Sequence, residues 1–319
     1  MGRRSNETEG NEKLMAQPVS FSPVAQLMQP VLQHDALLAD ISSASNASDS
    51  FHLWWLGQSG FLVKWQQHHL LLDPYLSNSL TTKYATTDKP HIRMTEILVA
   101  PERLDFIEVV SSSHNHTDHL DHETLWPLRA ANPNLQMVIP EANRAFVADR
   151  LKTNPAWPLG VNEGSQVTAG AFTFTGLAAA HEQIEADENG NYRCLGYLVS
   201  FGSAEHPWTI FHPGDCVPYD GMAERLLSLA DGRKIDVALM PINGRLPERR
   251  VTGNFWGREA AEFAKQIGAR VVIPMHYEMF TFNTETPDEF VAECTRLEQP
   301  YRVLRCGERW SARTTETHA

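Results

Sequence analysis

A short histidine-rich segment carries the residue types that bind divalent metal ions. It reads Ser113-His114-Asn115-His116-Thr117-Asp118-His119 and directly follows an apolar run at 107–110. Imidazole and carboxylate suit Zn²⁺, Mn²⁺ or Fe²⁺, and a loop after a strand can fold them around an ion. His114 and His116 can hold one ion while Asp118 and His119 point to a second. The alternative is a solvated surface loop, which the coincidence of four candidate ligands disfavours.

Three further candidate ligands each follow a predicted strand. His181 follows the apolar run 177–180, Asp215 ends the segment His-Pro-Gly-Asp after 209–211, and His276 follows 271–275. Taken alone, each has an ordinary interpretation as a satisfied core or surface residue. Side chains at several strand ends can be held rigidly around one point, so we predict that all three complete the metal site.

The elements that must position these residues alternate between strands and helices. Short β-rich runs at 51–56, 61–65 and 70–72 predict antiparallel strands. Farther on, apolar strands alternate with helical patterns, which predicts a layered α/β sandwich of two packed sheets with outer helices. The predicted strands are 107–110, 137–139, 172–174, 195–201, 209–211, 237–240, 271–273 and one near 301–304, and the predicted helices are 122–131, 141–152, 222–230, 257–267 and 288–297.

The first 50 residues differ from the rest of the chain. Residues 1–20 are polar, 42–50 are rich in Ser, Asn and Asp, and apolar residues recur at helical spacing between Val24 and Leu32. We predict an N-terminal extension over 1–50, with a short helix and a polar linker, and a main domain over 51–319.

Composition narrows the classes of partner. The 319 residues carry a formal net charge of −12, which disfavours nucleic acid and anionic membranes but permits a small anionic substrate held by a local cationic loop. The four cysteines form no CxxC pair, and we find neither a signal sequence nor a transmembrane segment. We therefore expect a cytoplasmic protein; a homo-oligomer is compatible with the sequence.

The ordered set of seven candidate ligands resembles the metallo-β-lactamase superfamily over roughly residues 51–310. The resemblance implies an αββα sandwich of two mixed sheets and two divalent metal ions, manganese or zinc, with iron also compatible. It further implies that His114, His116 and His181 hold one ion, that Asp118, His119 and His276 hold the other, and that Asp215 bridges them.

Four segments resemble the L-ascorbate-6-phosphate lactonase branch of that superfamily, which implies a metal-dependent lactonase. They are Trp54-Trp55-Leu56-Gly57-Gln58-Ser59-Gly60, Pro241-Ile242-Asn243-Gly244-Arg245, Gly253-Asn254 and Ile273-Pro274-Met275-His276-Tyr277-Glu278-Met279-Phe280. The segment 114–121 also resembles the N-acyl-phosphatidylethanolamine phospholipase D branch. Cys216 stands where superfamily members often carry Thr or Ser after the bridging Asp, and we interpret it as a small buried apolar residue rather than a ligand.

Several residues outside the ligand set are candidates for supporting roles. Asp73 resembles an aspartate that braces a ligand histidine, although it could equally cap an Asp-Pro turn. Arg245 belongs to a basic loop with Arg249 and Arg250, and a guanidinium suits phosphate or carboxylate, although a solvated loop is an alternative. As candidate substrate-binding residues we name Asn243, Arg245, Asn254 and Tyr277.

These features lead to three hypotheses. The first is a lactonase that opens a sugar-phosphate lactone by attack of a metal-bound hydroxide, with Asp118 orienting the nucleophile and moving its proton. The second keeps the metal site and hydrolyses a phosphodiester, and an exposed apolar groove near the site would favour it. The third is a metal-binding protein without turnover.

Overall fold

The computed structural model describes residues 26–314. Two mixed β-sheets contain the strands of this part of the chain. The first sheet has the order β13-β1-β2-β3-β4-β5-β6, and the second has the order β12-β11-β10-β9-β8-β7. The strands of the first sheet are β1 (Ser50–Gly57), β2 (Gly60–Trp65), β3 (His68–Leu72), β4 (Val109–Ser111), β5 (Gln136–Pro140), β6 (Leu159–Val161) and β13 (Arg309–Arg313). Those of the second are β7 (Gln166–Ala169), β8 (Phe172–Ala178), β9 (Leu195–Gly202), β10 (Pro207–His212), β11 (Val237–Pro241) and β12 (Val271–Met275).

Each sheet combines an antiparallel part with a parallel part. In the first sheet β13, β1, β2 and β3 are antiparallel, and β3 to β6 are parallel. In the second sheet β7 to β10 are antiparallel, and β10 to β12 are parallel. The parallel strands bring their carboxyl ends to one edge of each sheet, which is where the loops that carry the candidate ligands begin.

The two sheets pack face to face around aromatic side chains. Phe51 of β1 makes edge contacts with Phe201 of β9 and Trp208 of β10, at centroid distances of 5.3 and 5.0 Å. Every residue of β1 is buried, because helices and loops also cover its outer face. This arrangement confirms the predicted sandwich of two packed mixed sheets with helices.

Helices cover the outer faces of the sheets. Asp40 of the first helix accepts a hydrogen bond from the indole of Trp54 in β1, and Phe263 packs against Phe211 of β10. The helices are α1 (His34–Ser43), α2 (Ser79–Tyr84), α3 (His122–Ala131), α4 (Arg144–Leu151), α5 (Met222–Ala230), α6 (Gly257–Gln266) and α7 (Asp288–Arg296). None of these helices has the length and apolar character needed to cross a lipid bilayer.

The N-terminal helix lies later in the chain than predicted. Residues 26–32 are not helical: Met28 forms a bridge with Thr95, and the Val31 amide donates to the Cys306 carbonyl. The helix is α1, which buries Leu37 and Ile41. Val24, where the predicted helix begins, lies outside the described residues.

The predicted linker at 42–50 is held against the first sheet. Lys64 donates to the carbonyls of Ile41 and Ala44, and His52 bonds the Ser45 carbonyl. These hydrogen bonds offset the conformational entropy that a polar segment loses when it is ordered. The division of the chain at residue 50 stays a prediction.

At the other end of the chain, the strand predicted near 301–304 forms only an isolated bridge between Tyr301 and Val272. The chain then turns, and its final strand is β13, which pairs with β1. The strands β6 and β7 and the helix α2 were absent from the prediction.

Candidate metal centre

The loop after β4 folds back so that its histidines and aspartate approach one another. The amides of His119 and Leu120 both donate to the carbonyl of His116. From α4, Arg150 donates to the carbonyls of Asn115 and Leu120 and fixes the loop from outside. The loop's compact turn therefore places side chains that are close in sequence around a common point.

Three histidines form the first group of candidate ligands. The rings of His114, His116 and His181 lie 4.6 to 4.9 Å apart between centroids, and His116 Nδ1 is 3.0 Å from His181 Nε2. His181 reaches this point from the segment after β8, where the Ala179 amide donates to Cys194 and the Ala180 carbonyl accepts from Val217.

The second group consists of Asp118, His119, Asp215 and His276. Asp215 lies at its centre, with Oδ1 3.2 Å from His119 Nε2 and Oδ2 3.3 Å from His276 Nε2. The same Oδ2 is 3.9 Å from His181 Nε2 in the first group. Asp118 Oδ2 lies 3.7 Å from the Nε2 atoms of both His119 and His276. Asp215 thus lies between the two groups.

Unusual backbone conformations bring the ligands after β10 and β12 into place. Gly214 has φ +63°, and a Cβ there would lie 2.5 Å from the Ser113 side chain, so this turn requires glycine. His276 also has φ +63°, and its amide donates to the carbonyl of Gln58. A left-handed conformation at a histidine is costly, and such strain is found at functional sites.

The chemistry of both groups fits a bound cation. His114 Nε2 is buried without a hydrogen-bond partner among residues 26–314, next to the close pair of His116 and His181 nitrogens. Burial and the neighbouring imidazoles hold the pKa of His114 well below its ordinary value, which keeps the ring neutral and able to ligate. Burial alone would lower the pKa of His119, but Asp215 and Asp118 outweigh it and raise that pKa well above its ordinary value. The carboxylates thus favour positive charge between the two sheets, as a metal site requires.

A cavity of about 400 Å³ opens above these groups. Gln58, His116, Asp118, Asp215 and His276 form part of its wall. The rest of the wall contains four cationic side chains and a set of rings, which are Lys83, Lys89, Arg150, Arg250, Tyr84, His91, Phe280 and Phe282. The candidate ligands therefore face a space of small-molecule size with a cationic rim.

Comparison with known proteins identifies the family of this chain. The family model for the beta-lactamase superfamily domain matches residues 68–277, more than half of the chain. The chain belongs to the beta-lactamase superfamily.

Individual relatives agree with this assignment. The chain is 26% identical over 249 residues to a UPF0173 metal-dependent hydrolase of Rubrobacter xylanophilus, covering 75% of this chain and 87% of the relative. Its fold is similar to that of Igni18, a metallo hydrolase from Ignicoccus hospitalis, with TM-score 0.58, 19% identity and coverage of 83% and 100% of the two chains. It is equally similar to the metallo-beta-lactamase fold protein YhfI from Bacillus subtilis, with TM-score 0.58, 18% identity and the same coverage. The predicted superfamily and fold are confirmed, and the lactonase branch stays a prediction.

Asp73 lies behind the candidate ligand His119 and is hydrogen-bonded to it. Its Oδ1 accepts from the Ser113 amide at 3.0 Å, and its Oδ2 accepts from His119 Nδ1 at 2.7 Å and from the Ser113 hydroxyl. Because a carboxylate fixes the proton on His119 Nδ1, the Nε2 atom of that ring is left to face Asp215.

The four predicted substrate-binding residues do not line the cavity. Arg245 makes a bidentate ion pair with Glu259, and the Tyr277 hydroxyl donates to the Leu304 carbonyl while its ring stacks on Trp55. Asn254 and Asn243 are buried and hydrogen-bonded to each other. These side chains have partners within the protein and lie away from the cavity, and their contact with a substrate stays a prediction.

Asn254 and Cys216 support the candidate ligand Asp215 indirectly. The Cys216 amide donates to Asn254 Oδ1 at 2.7 Å, which anchors the residue after Asp215. Burial raises the pKa of the Cys216 thiol to about 12, so the sulfur stays protonated. Cys216 is absent from the groups of candidate ligands in the described residues, in agreement with its interpretation as a buried apolar residue.

Gln58, in the turn between β1 and β2, is not among the site residues predicted from the sequence. Its Nε2 donates to Asp118 Oδ2 at 2.8 Å and lies 3.0 Å from His276 Nε2. A glutamine in a hairpin turn has no chemical signature of its own. It lies within the segment 54–60, which is one of those that resemble the lactonase branch.

Proposed function

We propose that this protein is a metal-dependent hydrolase that opens a lactone of a small anionic molecule, with a sugar phosphate as the preferred class. One observation carries the proposal: seven candidate ligands converge, and four of them line a cavity whose wall also carries Lys83, Lys89, Arg150 and Arg250. Superfamily membership and the likeness to UPF0173 metal-dependent hydrolases support the reaction class. The cationic rim supports an anionic substrate, since guanidinium and ammonium groups bind phosphate and carboxylate.

The two groups of residues would hold two divalent ions. His114, His116 and His181 would take one, Asp118, His119 and His276 the other, with Asp215 between them. Such ions polarise a scissile carbonyl and lower the pKa of water to near neutrality when bound. The imidazoles and carboxylates suit two ions better than one, because Asp215 approaches members of both groups.

Asp118 is the proposed proton carrier. Its carboxylate lines the cavity, its side chain is 15% exposed, and its Oδ2 is oriented by the amide of Gln58. In hydrolysis the carbonyl carbon gains a hydroxyl, the bond to the ring oxygen breaks, and that oxygen gains a proton. A carboxylate beside the reacting centre can take the proton from the attacking water and deliver it to the ring oxygen.

A second candidate function is phosphodiester hydrolysis of the N-acyl-phosphatidylethanolamine phospholipase D type. A groove next to the cavity favours it, because Trp126 and Phe146 are exposed there and Lys83 and Arg150 line both spaces. An apolar part of a substrate could contact the two rings while its anionic group enters the cavity.

A hydrolysis panel separates these functions. Metal-depleted protein would be reconstituted with Mn²⁺ or Zn²⁺ and assayed on a phosphorylated lactone, its unphosphorylated counterpart and bis(p-nitrophenyl) phosphate. We expect turnover of the phosphorylated lactone with the lowest KM. Preference for the phosphodiester would favour the second function, and metal binding without any turnover would favour a metal-binding protein.

Substitution of Asp118 by Asn tests the proton carrier within the same panel. We expect kcat to fall by ~100-fold or more while the fold is retained, because an amide cannot take up the proton. The matched control is Asp220→Asn, which makes the same change at an exposed aspartate outside the cavity and should leave kcat unchanged. Wild-type kcat for the Asp118 variant between pH 6 and 9 would remove Asp118 from the mechanism.

A further inference from the structure

His91 is a histidine on the cavity wall that belongs to neither group of candidate metal ligands. Its ring is clamped by three others: it stacks on Tyr84 at 4.2 Å between centroids and makes edge contacts with Phe280 and Phe282 at 5.2 and 4.6 Å. Its backbone is also anchored, since Thr81 donates to the His91 carbonyl at 2.7 Å. The imidazole is therefore held in one orientation before any ligand arrives.

The hydrogen bond on one side of the ring determines what the other side offers. His91 Nδ1 lies 3.0 Å from the carbonyl oxygen of Lys89. A carbonyl only accepts, so Nδ1 carries the proton and Nε2 of the neutral ring carries a lone pair. In the part of the chain that the structure describes, no hydrogen bond involves Nε2. The ring thus offers an acceptor to a molecule in the cavity.

The surroundings of His91 favour the neutral ring. Burial lowers its pKa, and the bond to Lys89 opposes this only in part. Of the charged groups that face it, Lys83 from α2 and Lys89 lower the pKa, while Asp118 from the metal-site loop raises it. A neutral acceptor complements the cationic rim, whose ammonium and guanidinium groups can only donate.

We propose that His91 is a specificity residue whose Nε2 accepts a hydrogen bond from a hydroxyl group of the substrate. The inference rests on the proposed function and narrows its substrate class to hydroxylated anions. The cations would bind the anionic group, and His91 would distinguish a hydroxylated molecule from a deoxygenated one of equal charge. A site built to bond a hydroxyl discriminates against an analogue without it, because its acceptor is then left unpaired.

Binding measurements test this independently of turnover. Calorimetry on the metal-loaded protein would compare glycerol 3-phosphate with n-propyl phosphate, which share charge and chain length and differ in two hydroxyls. The variant His91→Phe keeps an aromatic ring in the clamp and removes both nitrogens, and His91→Gln restores an acceptor. We expect wild type to bind glycerol 3-phosphate about tenfold more tightly than n-propyl phosphate, His91→Phe to lose that preference, and His91→Gln to regain most of it.

The same inference can be tested kinetically with two lactones that differ in their hydroxyl groups. D-glucono-δ-lactone and δ-valerolactone share a six-membered ring, and only the first carries hydroxyls. We expect His91→Phe to lower kcat/KM about tenfold for the first and less than twofold for the second.

The outcomes keep the two proposals apart. A binding preference that depends on His91 without lactone hydrolysis would support the inference and contradict the proposed reaction. Equal losses on both members of each pair would make His91 a structural residue and overturn the inference. Absence of any preference in the wild-type protein would overturn it as well.

Discussion

The two sides of the cavity are built in opposite ways. On the metal side, His119 and Asp73 have fully buried side chains that meet at 2.7 Å. On the loop side, Arg250 and Asp88 pair at 2.8 Å with side chains that are 60% and 74% exposed. A second contact on the loop side joins the Lys89 ammonium to the Arg250 carbonyl. The first arrangement is fixed by the packing of two sheets, and the second by contacts that water weakens.

This difference separates the residues that would carry out the proposed reaction from those that would recognise the substrate. Buried ligands at strand ends cannot move without disturbing the core, so they keep the spacing that metal chemistry needs. Exposed ion pairs contribute little to stability, at ~0–1 kcal/mol each, so their partners can turn toward an anionic ligand at small cost. In the proposed function, the metal side would govern the reaction, and the loop side would govern which molecules bind.

The largest effect is expected for Asp215, which lies between the two groups of candidate ligands. Replacement of Asp215 by Ala should reduce kcat/KM more than the ~10–100-fold that is typical of residues behind a metal ligand. The control is Asp220→Ala, an exposed aspartate in the same segment of the chain. Steady-state kinetics that show equal activity for both variants would place Asp215 outside the site.

A smaller loss is expected for Asp73, which supports His119 from behind. In Asp73→Asn an amide donor can face the Nδ1 proton of His119, and metal affinity should fall by ~10–100-fold. Chelator competition measures the affinity. Asp236→Asn is the matched control, because Asp236 is also buried but bonds Thr209 and Arg270 instead of a candidate ligand. A similar loss in both variants would point to general destabilisation.

The smallest effect is expected on the loop side. Arg250→Ala should raise KM for an anionic substrate by ~2–5-fold with little change in kcat, since a remote charge acts in ground and transition states alike. The difference should fade in high salt, which screens exposed charges. Arg245→Ala should leave KM unchanged, because Glu259 occupies that guanidinium outside the cavity. A larger effect for Arg245 than for Arg250 would reverse this assignment.

The metal side of the cavity could be predicted from the sequence, whereas the loop side could not. The loop at 113–119 indicates metal binding because three histidines and an aspartate lie within seven residues. Each remaining candidate ligand follows an apolar run. The cationic and aromatic walls come from segments near 80–91, 150, 250 and 280, which are distant from one another in sequence. Only the folded chain brings them together.

Tyr277 and Arg245 lie away from the cavity, and the N-terminal helix lies later in the chain than predicted, each for a specific physical reason. Tyr277 follows a candidate ligand in sequence, but neighbouring residues at a strand end point in different directions, and its ring packs on Trp55. Arg245 was interpreted as a free cation because its partner Glu259 lies 14 residues away, on the first turn of α6. The N-terminal helix was misplaced because apolar spacing alone did not distinguish 24–32, which contains Pro30, from α1.

The central claim is that these side chains hold two divalent ions, and metal stoichiometry tests it most directly. The protein would be reconstituted with Mn²⁺ or Zn²⁺, passed through gel filtration and analysed by mass spectrometry for metal per chain. His122→Ala serves as the control for His116→Ala, because His122 lies close in sequence but packs against Trp126. We predict about two ions per chain for wild type and His122→Ala, and about one or fewer for His116→Ala. A wild-type protein that retains no metal, or a His116 variant with an unchanged ratio, would contradict the account.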